Sequence, residues 1–104
     1  ISRLLRADSA TSIIVLGDFN DFEYSPPLHN LTPVGGSPLR NLTLTLPEND
    51  RYTYLHLGNS QALDHILVTP ALAASVEYDV VHMNAEFATS PSDHDAVVAR
   101  FRLR

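Results

Sequence analysis

Five polar residues stand at the ends of apolar runs, and their types suit the handling of a phosphate ester. Asp18 and Asn20 fall in Gly17-Asp18-Phe19-Asn20-Asp21, directly after Ile13-Ile14-Val15-Leu16. Asp64 precedes Ile66-Leu67-Val68, and Asp93 and His94 precede Ala96-Val97-Val98-Ala99. Carboxylates hold a hard divalent cation or take a proton from water. An amide orients a phosphate oxygen, and an imidazole donates to developing negative charge. One such cluster alone is also ordinary turn and cap chemistry. Three of them at strand ends can converge on one rim.

The elements that must position these residues follow from periodicity. The three apolar runs, rich in β-branched residues, read as strands buried on both faces. Ile1, Leu4 and Leu5 have helical spacing, so residues 1–8 read as the end of an amphipathic helix. Residues 13–17 read as a central strand. Pro26 and Pro27 suit the first turn of a short helix, and residues 34–38 a loop. Asn41 to Leu46 fits either a helix or an edge strand. Further strands are expected over 51–55, 64–68, 76–83 and 95–103, with a short helix over 70–75. Strands outnumber helices, which points to an α/β fold with a mixed β-sheet and helices on one face.

The chain has 104 residues and a net charge of −5 with neutral histidines. That length supports one small domain and one core. The acidic balance argues against a bulk nucleic-acid binder, although a metal ion can sit between carboxylates and a phosphodiester. There is no cysteine, so both reducing and oxidising compartments stay open. No apolar run reaches the length of a membrane span. The chain begins at Ile1 and reads as part of a longer protein.

Blander and rival readings exist for each cluster. Ser92-Asp93-His94 is a poor Ser-His-Asp triad, because neighbours in an extended segment point apart. Asp64 is either a strand-end carboxylate facing water or, beside apolar neighbours, a carboxylate that needs a partner such as an imidazole N–H. His29, His56, His65 and His82 share no metal-ligand spacing, which argues against a zinc cluster. Tyr52, Thr53 and Tyr54 read as strand packing, and Arg100, Arg102 and Arg104 as a solvated strand face.

Gly-Asp-Phe-Asn-Asp at 17–21, Leu-Asp-His-Ile-Leu-Val at 63–68 and Ser-Asp-His-Asp at 92–95 resemble, in order and spacing, motifs of the endonuclease/exonuclease/phosphatase superfamily. Arg51-Tyr52-Thr53-Tyr54 and the segment 58–65 look like the branch of large secreted bacterial nucleases. The resemblance implies that Asp18 orients or deprotonates the attacking water and that Asn20 contacts the phosphate. It implies that Asp64 pairs with the catalytic His94, that Asp93 binds metal, and that His94 contacts the scissile phosphate.

Carried further, the resemblance assigns residues 1–104 to the C-terminal half of such a domain, half of a four-layer α/β/β/α sandwich. The implied activity is metal-dependent phosphodiester hydrolysis with Mg²⁺, Mn²⁺ or Ca²⁺. An extracellular nuclease acting on nucleic acid is the first expectation. A phosphatase or phospholipase-type enzyme of the same superfamily, or a non-catalytic interaction module, is the alternative. The first-half Glu and Asn of the family have no counterpart here, so residues 1–104 alone are expected to be inactive. Strands apolar on both faces, with helices able to cover only one, also lead us to expect self-association.

Overall fold

A computed structural model describes residues 1–102. Its centre is β5 (Asp64–Val68), in which His65 to Val68 are all buried. Antiparallel neighbours flank it: β1 (Ile14–Asp18) on one side and the two-residue β2 (Arg40–Asn41) on the other. Alternation along β5 divides the core in two. Leu67 packs with Leu28 of α2 (Pro26–Asn30) and with Leu39, while Val15, Phe19 and Leu31 close around them. Ile66 and Val68 point the other way, onto Leu42 and onto Leu72 of α3 (Pro70–Ala73). Each fully buried Leu or Val contributes about 1.5–3 kcal/mol, so β5 is the strand the fold can least lose.

The hairpin of β6 (Val76–Val81) and β7 (Ala96–Phe101) lies over the Ile66 and Val68 side through Val76, Tyr78, Val97, Ala99 and Phe101. A second hairpin pairs β3 (Tyr54–His56) with β4 (Asn59–Gln61). Its turn residues Leu57 and Gly58 both have positive φ, 49° and 81°. That is the twist a two-residue hairpin needs, and Gly58 adopts it freely.

The architecture is α/β, but the strands among the described residues form three antiparallel sheets rather than one mixed sheet. Parallel pairing needs a long crossover, usually helical, and no helix intervenes between β6 and β7. Helices are not confined to one face either, since α2 and α3 pack on opposite sides of β5. The segment 41–46 resolves into a 3-10 helix, Leu42–Thr45, whose cap Asn41 accepts from the Thr43 N–H. The expected strand over 51–55 is reduced to Tyr54–His56, and the one over 76–83 stops at Val81.

Two apolar surfaces stay open. α1 (Ser2–Ala7) forms as expected, but none of its residues is buried and Leu4 is 56% exposed. On β1, Ile14 and Leu16 sit opposite Val68 and Ile66 and so share their face. Leu16 is nonetheless 66% exposed, because the packing that covers β5 stops short of this edge strand. The expectation that β1 and β7 are buried on both faces therefore fails: Ile14, Leu16 and Val98 are exposed. Leu103 and Arg104, at the end of the expected last strand, lie outside the described residues. No described helix is long and apolar enough to cross a membrane.

Candidate active site

Antiparallel register brings the first two acidic motifs together. Asp18 ends β1 and Asp64 begins β5, and they are direct cross-strand partners. Like charges placed opposite each other destabilise a strand pair, so a cation or a proton donor is needed between them. His94 supplies one. Its Nδ1–H donates to Asp64 Oδ2 at 2.6 Å. Asp18, Asp64 and His94 each offer a ligand atom within 4.8 Å of the other two.

His94 arrives from the loop before β7, where it forms an isolated antiparallel bridge with Tyr54 at the start of β3. The Tyr54 ring lies 4.9 Å from the imidazole, tilted by 35°. The neighbouring Asp95 N–H donates to the Thr53 carbonyl at 2.7 Å. Thr53 itself is fully buried. Its hydroxyl donates to Asp64 Oδ2 at 2.6 Å and accepts from the N–H groups of Leu63 and Asp64. One donor and two acceptor positions exhaust what a hydroxyl can do. Thr53 thereby fixes the carboxylate that in turn fixes the imidazole.

The electrostatics agree with this geometry. Burial disfavours the charged form of His94. The hydrogen bond to Asp64 and the negative charges of Asp64, Asp18 and Asp93 outweigh burial, and the His94 pKa is raised above its ordinary value. With Nδ1 committed to Asp64, Nε2 has no hydrogen-bond partner among the described residues and is left for a substrate.

Asn20 departs from the sequence reading. It does not continue the extended backbone of Asp18 but turns into the left-handed region at φ 49°. Asp18 Oδ1 accepts the Asn20 N–H at 2.8 Å, the local turn that Asp side chains favour. The following residue is tied down by His65, whose Nε2–H donates to the Asp21 carbonyl at 2.8 Å. His65 is fully buried, and its Nδ1 receives the Asn41 amide at 3.1 Å. It is a structural histidine that anchors the Asp18–Asp21 loop to β5.

Asn20, Asp93 and His94 all line one open pocket of about 460 Å³. Phe22, Tyr54, His56, Gln61 and Leu63 form the rest of its wall. Asp93 is exposed there and is not among the three tightly grouped ligand atoms. The donor set suits a hard divalent cation. Asp64 Oδ2 is already occupied by Thr53 and His94, which leaves Asp18 and the other Asp64 oxygen of this group to an ion.

A model of the Endonuclease/Exonuclease/phosphatase family matches residues 2–94. The chain belongs to that family. Endonuclease/exonuclease/phosphatase proteins are hydrolases of nuclease and phosphatase type and typically depend on a divalent metal, in keeping with the Asp18, Asp64 and His94 group. No curated protein and no solved structure matched the chain.

The five residues singled out in the sequence thus fall into a tight trio (Asp18, Asp64, His94) and two further pocket residues (Asn20, Asp93). Thr53 and Tyr54 were missed as site residues. Their alternation along a short strand resembles packing, and only the pairing of Thr53 with Asp64 and of Tyr54 with His94 reveals their part.

Proposed function

We propose that this protein hydrolyses phosphodiester bonds in a metal-dependent reaction, and that its substrate is nucleic acid. The single observation carrying the reading is the pairing of Asp18 with Asp64 across two strands, with the His94 imidazole held against Asp64. A purely structural strand end has little reason to place two carboxylates opposite each other.

In this reading a water molecule attacks phosphorus in line with the leaving oxygen, and the Asp18 carboxylate accepts its proton. The Asn20 amide donates to a phosphate oxygen. His94, cationic and kept so by Asp64, presents Nε2–H to the charge that develops on the phosphate as the bond to the leaving group breaks. A divalent cation, Mg²⁺ or Mn²⁺, held by Asp93 with help from Asp18, would supply Lewis-acid neutralisation of that phosphate. The aromatic rings of Phe22 and Tyr54 in the pocket wall favour a base-bearing substrate. The finer parts of this reading are an extracellular nuclease and a half-sandwich that packs on a second sheet, and they rest on the motif resemblance.

The test compares plasmid DNA, bis(4-nitrophenyl) phosphate and a phosphate monoester under Mg²⁺ and Mn²⁺. With the first half of the domain present, the diesters should be cut and the monoester spared, whereas residues 1–104 alone should show little or no cleavage. Preference for the monoester would replace the nuclease reading with a phosphatase. Cleavage undiminished by EDTA would remove the metal.

A further inference from the structure

Beside the site stands a second histidine with two carboxylate partners. His82 Nδ1 lies 2.9 Å from Asp95 Oδ2, and its Nε2 lies 3.0 Å from Asp50 Oδ1. Burial disfavours the charged ring, but carboxylates on both ring nitrogens outweigh it, favour the doubly protonated form and raise the His82 pKa above its ordinary value. Its ring stacks on Tyr52 at 4.1 Å with 14° between the planes. Tyr52 is held in turn by Glu86.

Asp95 is 3% exposed, and a buried carboxylate needs this degree of compensation. Its other oxygen, Oδ1, accepts three successive backbone N–H groups, those of Met83, Asn84 and Ala85, at 3.0, 2.7 and 3.0 Å. The folded segment 83–85 then reaches back to the site. Asn84 Nδ2 donates to the His94 carbonyl at 2.8 Å. From the other side, the Asp95 N–H holds the Thr53 carbonyl, and the Thr53 hydroxyl holds Asp64. The backbone of His94 and its partner Asp64 are therefore both referenced to one residue, His94 through the Asp95 carboxylate and Asn84, and Asp64 through the Asp95 N–H and Thr53.

We propose that His82 and Asp95, acting through Asn84, are positioning residues that aim the His94 imidazole at the substrate phosphate. The inference rests on the reading of His94 as the reactive imidazole, but its geometric content can be measured without turnover. Asp95 is buried, and its two oxygens are engaged by His82 and by three backbone N–H groups, so it is not placed to meet a substrate. His82 fills both of its nitrogens in the same way. The device consequently acts on the placement of His94 rather than on the phosphate itself.

The proton between His94 Nδ1 and Asp64 should give a far-downfield imidazole N–H resonance in a proton NMR spectrum, visible while the ring is held in place. His82→Phe keeps the ring on Tyr52 and removes both hydrogen bonds. In that variant the resonance should broaden or vanish. On any phosphodiester the protein cuts, kcat should fall about 10- to 100-fold, as for outer-shell partners generally, with KM little changed. His82→Gln, which restores one amide N–H toward Asp95, should recover much of both.

Asn84→Ala is the milder companion. It removes the link to the His94 carbonyl together with a buried amide oxygen that has no partner, and it should reproduce the loss even if His82→Phe folds poorly. An unchanged resonance in folded His82→Phe or in Asn84→Ala would overturn the proposal. So would a glutamine variant no better than the phenylalanine one. Absence of phosphodiesterase activity with both halves of the domain present would instead overturn the functional reading and leave the NMR test intact.

Discussion

Asp64→Asn separates catalysis from stability at this site. Asp64 Oδ2 accepts from His94 Nδ1 and from the Thr53 hydroxyl, each at 2.6 Å. An asparagine oxygen can take both bonds with almost no change of shape, so only the charge is lost. Charge-assisted hydrogen bonds contribute about 1.5–3 kcal/mol and neutral ones about 0.5–1.5, so with two such bonds weakened the fold should lose about 2–3 kcal/mol. Turnover should suffer more. A carboxylate that orients a catalytic imidazole and stabilises its cation is worth about 10²- to 10⁴-fold, or about 3–5 kcal/mol. The pH profile supplies the sign. Burial opposes protonation of His94, and the carboxylates that outweigh it raise the pKa. Removing the main one moves the alkaline limb of kcat to lower pH. Stability follows the same linkage. In the unsubstituted protein the His94 contribution is complete below the ordinary histidine value of about 6.5, and it fades as pH rises through the raised value. In Asp64→Asn that dependence should shrink, though not vanish, because His82 also has a raised pKa against burial through Asp95 and Asp50. Stopped assays of a chromogenic diester across pH, with chemical denaturation on the same samples, measure both effects. A turnover loss below tenfold, or an alkaline limb shifted upward, would refute the reasoning.

Further outcomes follow from packing and hydrogen bonding. Thr53→Val deprives the Leu63 and Asp64 N–H groups of their acceptor and should cost about 2–4 kcal/mol in urea denaturation, since each unsatisfied buried group costs about 1–3. Gly35→Ala would put a Cβ 2.4 Å from Asn30 Cα and 2.5 Å from the His29 carbonyl oxygen. These are backbone atoms that cannot swing aside, so a loss of about 1–3 kcal/mol is expected, and an unchanged denaturation midpoint would contradict the local geometry. Ile14 and Leu16 continue the apolar face of Ile66 and Val68 into solvent. We expect a second copy of the chain to cover it, so sedimentation should show dimers at micromolar concentration that Leu16→Lys abolishes.

Continuous apolar runs with β-branched content made β1, β5 and β7 legible in the sequence, although only β5 is buried along most of its length. Pro at the first helical position marked α2 and α3. That Asp64 could need an imidazole partner was legible from its apolar neighbours, and that the imidazole is His94 was implied by the motif resemblance. The β3–β4 hairpin was not, since Leu57 occupies a left-handed turn position usually filled by Asn, Asp or Gly and so disguises the turn. The left-handed Asn20 was hidden for a related reason: spacing alone cannot tell an extended backbone from a turn closed by the preceding aspartate. Thr53, His82 and Asp95 escaped because their importance lies in contacts between residues 11 and 13 positions apart, which no local period encodes.

The central claim, that His94 and the carboxylates around it form a metal-dependent phosphodiesterase centre, is tested most directly by the Mg²⁺-dependent hydrolysis rate of bis(4-nitrophenyl) phosphate in the unsubstituted protein and in His94→Ala. With both halves of the domain present, the expected result is turnover that EDTA abolishes and Mg²⁺ restores, lowered about 10²- to 10⁴-fold by the substitution with little change in KM. Hydrolysis that persists in EDTA, or a His94→Ala variant within a few-fold of the unsubstituted rate, would contradict it.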